Sequence, residues 1–289
     1  MTPYKDHILR ATAADGQIRA FAASTKDLAE YARTIHNASP VAAIALGRLL
    51  TAVAMMGTMM KNDSDKLTIQ IKGSGDFQSL TVTADRFGHV KGYPSPADVP
   101  FQSDGKDAFS LKKAFGEGTL TIMQDMGLKE PYVSQIPLQS GEIGEDLTYY
   151  YAKSEQTPTA VGLSVHLDET GAIDYAGGFI VQLMPNADET IMDSMEVAVN
   201  NGGIFGGEAK DILDGILWEY DYEILDTIDA SFQCDCSRER MEKALISLGP
   251  AELKAMIADG ETIEVNCAFC NSHFHFTPVE LQQLLLAIS

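Results

Sequence analysis

Cys234-Asp235-Cys236 and Cys267-Ala268-Phe269-Cys270 together hold every cysteine in this chain of 289 residues. The stretch between the pairs, 237 to 266, is 30 residues long. Four sulfurs in two close pairs suit a tetrahedral Zn²⁺, which takes Zn–S bonds of about 2.3 Å. Each pair offers two ligands from one tight turn, and folding has only to bring the two turns together. Three readings follow from the residues. The cluster is a structural zinc knuckle, a redox switch that holds zinc when reduced and forms disulfides when oxidised, or a permanent disulfide framework. The third suits secreted proteins, and nothing marks this chain as secreted.

The elements around the pairs are regular. Ser237 is placed to cap a helix running to Leu248, where Gly249-Pro250 stops it. A second helix is expected to Ala258, then a short strand over Thr262–Asn266 that delivers Cys267. Phe274 and Phe276 alternate with His273 and His275, the period of a strand. Thr277-Pro278-Val279-Glu280 combines an N-cap, a proline at the first helical position and a Glu at the third. His273 and His275 could replace a sulfur in a Cys₃His site, but four cysteines already complete a tetrahedron, so both read as strand residues.

The first 185 residues alternate helices with strand pairs. Tyr4 to Ser24 reads as a hairpin turning at Asp15-Gly16. Ser24 or Thr25 is expected to cap a helix to about Asn37, and Pro40 opens a second helix over 40–60. That helix carries Arg48 within its apolar run, so it reads as a buried core helix and not a membrane span. Its Met55, Met56, Met59 and Met60 could form an adaptable binding surface, but at helical spacing they read as core. Strands are expected over 66–72, 77–84, 119–124, 132–138, 160–168 and 173–184, with a long loop over 93–117 and a helix from Ile143 to Ser154. The fold class is therefore α+β with a mostly antiparallel sheet and packed helices.

Net charge is −20 and unevenly spread. Residues 1–185 carry 21 acids and 16 bases, residues 186–231 carry 12 and 1, and residues 232–289 carry 8 and 4. An acidic chain with no basic stripe argues against nucleic acid as a partner. The segment 186–231 mixes its acids with large apolar residues and shows helical patterns over 188–200 and 208–217, around a glycine-rich 201–207. Three parts are expected: a core domain over 1–185, an acidic helical linker over 186–231 and a small Cys₄ zinc domain over 232–289. The N-terminus has no apolar signal region, which implies the reducing cytosol and resting thiolates. No phosphate-binding G-x-x-x-x-G-K-[ST] stretch is present, so no ATP dependence is expected.

C-x-C, 30 residues, then C-x-x-C near the C-terminus resembles the heat shock protein 33 family of bacterial redox-regulated holdase chaperones. So do Asp6-His7-Ile8-Leu9-Arg10-Ala11, the stretch from Gly141 to Tyr151 and the following Ser154 to Pro158. The resemblance spans nearly the whole chain and favours the switch over the structural knuckle. It implies zinc on Cys234, Cys236, Cys267 and Cys270, and oxidation to Cys234–Cys236 and Cys267–Cys270 disulfides with release of zinc. It further implies binding of unfolding client proteins without catalysis, an active homodimer and a cytoplasmic location. Structural zinc is worth roughly 10–16 kcal/mol in small metal domains, and whole domains are stable by only ~5–15 kcal/mol. Oxidation thus reads as unfolding of the last domain, which loosens the metastable acidic linker and uncovers its apolar face for unfolding clients. The alternatives are a zinc-stabilised protein–protein adaptor without redox response, and a zinc enzyme, which a closed Cys₄ site does not serve.

Overall fold

The computed structural model describes residues 5–101, 110–185, 187–188, 190–191 and 206–287. The chain divides into two compact units, Met1–Gln233 and Cys234–Ser289.

The first unit is built on two sheets. Strands β1 (His7–Ala13) and β2 (Ile18–Ser24) form the expected hairpin, with Ala14, Asp15 and Gly16 all at positive φ in its turn. They join β8 (Thr159–Leu167), β9 (Ile173–Leu183) and β10 (Tyr222–Asp229) in the order β10-β1-β2-β9-β8, antiparallel throughout. The second sheet runs β11-β5-β4-β3-β6-β7, from β3 (Lys66–Gly73), β4 (Ser79–Ala84), β5 (His89–Ser95), β6 (Gly118–Asp125), β7 (Tyr132–Pro137) and the short β11 (Ser231–Phe232). Among the described residues, only β11 on β5 pairs in parallel.

Helix α1 (Lys26–His36) precedes α2 (Pro40–Gly57), which starts with Ser39 accepting from the Ala42 amide and proline at the first turn. Helix α2 packs on β8 and β9 of one sheet and on β3, β4 and β5 of the other. That position explains a helix apolar all round: both flanks are core. It is long and apolar enough to cross a membrane, yet 83% of it is buried in the protein. A Cβ at Gly57 would lie 2.5 Å from the Asp85 carbonyl oxygen, so glycine permits the close approach of the helix end to the β4–β5 turn. Met55 and Met56 are buried and Met59 and Met60 pack against the same core, as their spacing suggested. Helices α3 (Leu111–Phe115) and α4 (Ile143–Tyr150) complete this core, α4 passing into a π turn over Tyr151–Glu155. The expected loop over 93–117 thus includes a short helix and the end of β5; residues 102–109 lie outside those described.

The other face of the first sheet carries a second core. Leu9, Ala11, Ala13, Ile18, Ala20, Ala22, Phe179, Val181 and Leu183 are covered by α5 (Ala209–Ile216) through Ala209, Ile212, Leu213 and Ile216. Strand β9 is therefore buried on both faces. The expected helix over 188–200 and the glycine-rich 201–205 fall almost wholly outside the described residues. Beyond α5, the chain forms β10 at the edge of the first sheet, where helical character was expected to continue. Its His7↔Asp229 register joins residues far apart in sequence, and its Glu223, Asp226 and Asp229 place charge on an exposed edge.

One cap differs from the expectation. Thr25 precedes α1 but makes no side-chain cap. Asp6, distant in sequence, accepts from the amides of Asp27 (3.2 Å) and Leu28 (2.6 Å). Burial pushes the Asp6 carboxyl up to about 6, against the pull of those two amides; the Asp27 carboxylate adds to the rise and His7 opposes it. The folded value lies above the unfolded value of about 3.9. The group's contribution to stability is therefore fully present below pH ~4 and is lost as pH rises through about 6. Unfolding free energy from urea titrations should fall by about 1 kcal/mol more between pH 5 and pH 7 in the wild type than in Asp6→Asn. Asp6→Ala should cost about 1–2 kcal/mol by removing the cap.

The second unit follows the sequence closely. Helices α6 (Arg238–Ser247), α7 (Pro250–Asp259) and α8 (Pro278–Leu286) share a small core with the apolar side chains of the β12 (Ile263–Asn266) and β13 (His273–Phe276) hairpin. Ser237 accepts from the Arg240 amide, and Thr277 with Glu280 forms the full reciprocal cap. Its core is small: among the described residues, Leu245, Leu253, Phe276 and Leu281 are its buried cluster.

Candidate metal centre

Two short segments position the four sulfurs. Cys234 and Cys236 lie in the irregular segment between β11 and the Ser237 cap of α6. Arg240 pairs with Asp235 at 2.6 Å, tying the residue between them to the helix that follows. Cys267 and Cys270 occupy the turn between β12 and β13. The Asn271 amide donates to the Cys267 carbonyl at 2.8 Å, and the Cys267 amide to that of Ser272 at 2.9 Å. Asn271 takes φ of 54°, a left-handed conformation that asparagine tolerates and that closes the knuckle.

Folding brings all four together. Every sulfur lies within 4.8 Å of the other three. Two short contacts run between the pairs: Cys234 to Cys267 at 3.7 Å and Cys236 to Cys270 at 3.3 Å. A tetrahedron with 2.3 Å metal–sulfur bonds has sulfur–sulfur edges of about 3.8 Å. The donor set and its spacing therefore fit a tetrahedral, thiolate-loving ion. All four are free thiols, with Cys267 buried and the others half-buried. Sequence spacing gave the two pairs, but not the cross-turn neighbours.

The thiols are not equivalent. Burial pushes Cys234 well above the ordinary thiol range and Cys236 up to about 11. Burial acts the same way on Cys270, but the Ser272 hydroxyl and amide, with Cys236 and Cys234, outweigh it and bring that thiol down to about 7. The Cys270 sulfur stands 3.2 Å from the Ser272 hydroxyl.

His273 and His275 do not join the sulfurs. Their Nδ1 atoms face Glu264 at 2.9 and 3.6 Å. The backbone of β13 is held by Arg238, which donates to the His275 carbonyl at 3.0 Å, pairs with Glu280 at 2.6 Å and lies 4.4 Å over the Phe276 ring. Sequence reading did not single out Arg238. Its position directly after the Ser237 cap was the available signal.

Comparison with known proteins follows the same lines. The family model described as Hsp33 protein matches residues 6–277. A 33 kDa chaperonin of Agathobacter rectalis is 47% identical over 285 residues, covering 96% of this chain and 99% of that one. The 33 kDa chaperonins of Lachnoclostridium phytofermentans and Clostridioides difficile are 46% and 43% identical, covering 97% of this chain and 98% and 99% of theirs. The crystal structure of the 33 kDa chaperonin (heat shock protein 33 homolog) of Thermotoga maritima is similar, with a TM-score of 0.89, 31% identity and 99% coverage of both chains.

Proposed function

The chain belongs to the heat shock protein 33 family, a family of chaperones, and we propose that it is an ATP-independent holdase whose activity is set by the redox state of its four cysteines. The observation that carries this reading is the gathering of all four sulfurs within 4.8 Å in a unit with few buried side chains of its own. Cys234, Cys236, Cys267 and Cys270 would hold Zn²⁺ as thiolates. When bound, the ion supplies the cross-link between the two turns.

Oxidation is the trigger. A thiol reduces peroxide to water and becomes a sulfenic acid; a neighbouring thiol then displaces a second water and closes a disulfide. In sum, two thiols and one peroxide give one disulfide and two waters. Resemblance to the family supports the pairs Cys234–Cys236 and Cys267–Cys270. Sulfurs tied within their own turns no longer link the two turns, so the small unit loses its closure and zinc is released. Two such short loops restrain little of the unfolded chain in return.

The functional division is a core chaperone domain over 1–185, an acidic linker over 186–231 and a switch domain over 232–289. In its described part the linker places α5 over the apolar outer face of the first sheet. Its twelve acids against one base make that cover self-repelling. Once loosened, the linker and the face beneath it offer apolar surface to unfolding clients. The reading includes a homodimeric active form and a cytoplasmic location, both carried over from the family.

The test is aggregation of a thermally unfolding client. Reduced, zinc-loaded protein should leave aggregation unchanged, and peroxide-treated protein should suppress it at near-stoichiometric ratios without ATP. Failure of the oxidised protein to suppress aggregation contradicts the reading, and points to a zinc-stabilised adaptor if the metal is also retained.

A further inference from the structure

A small cavity opens in the first unit where α2 ends between the two sheets. It holds about 180 Å³ and is lined by Arg19 of β2, Gln182 of β9 and Leu67 of β3. Met56, at the end of α2, lines it together with Met59 and Met60 just beyond. Tyr150, Tyr151 and Glu155 reach it from α4 and the π turn that follows. Such turns recur at functional sites. Drug-sized ligands take pockets of about 300–1,000 Å³, so this cavity suits a smaller molecule.

The cavity holds one charge of each sign, and the two do not pair. The Arg19 guanidinium is supported by a neutral group: its Nε and Nη2 donate to Gln182 Oε1 at 3.2 and 2.6 Å. Gln182 is buried and donates in turn to Thr159 Oγ1 at 3.3 Å, which fixes the fork. Among the described residues Arg19 has no carboxylate partner. Glu155 is exposed, and its Oε1 accepts from the Tyr150 hydroxyl at 2.5 Å, a contact between residues five apart that the π turn brings together. Tyr151 stands under the influence of both. Burial pushes its hydroxyl up; Arg19 opposes that rise and Glu155 adds to it. The Tyr151 hydroxyl donates to Met59 Sδ at 3.6 Å, a weak acceptor.

We propose that this cavity binds a free α-amino acid with an apolar side chain, its carboxylate on Arg19, its ammonium on Glu155 and its side chain against Met56, Met59, Met60 and Leu67. A small zwitterion answers both charges at once, which neither a simple anion nor a simple cation does. A guanidinium held in a fixed orientation by a neutral amide keeps its full charge and fork geometry for a carboxylate. Thioether side chains adapt to apolar groups of differing shape, so the wall selects for apolar character more than for one side chain. Inside a half-enclosed cavity both charge contacts are stronger than in bulk water. The proposal stands whether or not the cysteines act as a switch.

The test uses the full chain with its cysteines loaded with zinc, and L-leucine as the probe. Calorimetric titration should show one leucine per chain. Leucinamide, which lacks the carboxylate, and N-acetyl-leucine, which lacks the ammonium, should each bind about tenfold or more weakly, the loss expected for one charge-assisted contact. Glycine, which has no apolar side chain, should also bind about tenfold or more weakly. Arg19→Gln and Glu155→Gln should weaken leucine binding to a similar degree, and Arg86→Gln should leave it unchanged. In the wild type, leucine should shift the methyl resonances of Met56, Met59 and Met60 before those of the other methionines, a readout that needs no variant. No leucine binding, equal binding of leucinamide, N-acetyl-leucine or glycine, or first shifts at other methionines would each overturn the site.

Discussion

Cys267→Ser, or removal of the metal by a strong chelator under reducing conditions, is expected to unfold residues 234–287 and leave the first unit folded. The reason is the size of the two cores. The first unit buries α2 between two sheets and the outer face of the first sheet under α5. The second has Leu245, Leu253, Phe276 and Leu281 buried, with partly buried side chains such as Met241, Ile263 and Phe274 packed around them. A unit of this size with so small a core is marginal by itself, and structural zinc, worth roughly 10–16 kcal/mol in small metal domains, would supply its closure. Hydrogen exchange should show protection lost over α6, α7, α8 and the β12–β13 hairpin and retained over α2. Trypsin should cut at Arg238, Arg240, Lys243 and Lys254 in the metal-free protein only. Retained protection over 238–286 without metal would show that the sulfurs are decoration on a self-sufficient fold.

A second large effect is expected at the cover of the first sheet. Leu213 and Ile216 are buried against Leu9, Ile18 and Phe179. The double substitution Leu213→Asp, Ile216→Asp would bury two charges without partners, at a cost of several kcal/mol. It also adds to a segment that already carries twelve acids. Helix α5 should lift from the sheet, with exchange protection lost over 209–216, and the reduced, zinc-loaded protein should suppress client aggregation without oxidant. Leu213→Ala, which leaves a cavity and no charge, should cost about 2–5 kcal/mol with a smaller gain in holdase activity. If α5 detaches and client aggregation is unaffected, the outer face of the first sheet is not a client surface.

What could be read from the sequence was local. The β1–β2 hairpin, α2 with its proline start, and the Ser237 and Thr277 caps all declare themselves within a few residues, and each is present. The cysteine pairs are local too. What escaped depends on partners far away. Strand β10 is acid-rich, largely exposed and defined only by pairing with β1 across more than two hundred residues. Asp6 caps α1 from outside the segment, and Thr25 occupied the position where a cap is normally sought. The division of the strands into two sheets around α2 was hinted at only by a helix with no polar face. The cross-turn sulfur neighbours were likewise beyond reach, because spacing gives ligands but not which of them meet.

The central claim is that the metal-held closure of the cysteine unit and the chaperone state exclude one another. The most direct test follows zinc release, free-thiol loss and suppression of client aggregation in a single peroxide time course on the full chain. The account predicts that zinc leaves as thiols are lost and that aggregation suppression rises no earlier than zinc release. Full suppression by protein that still retains its zinc and its four thiols would contradict it.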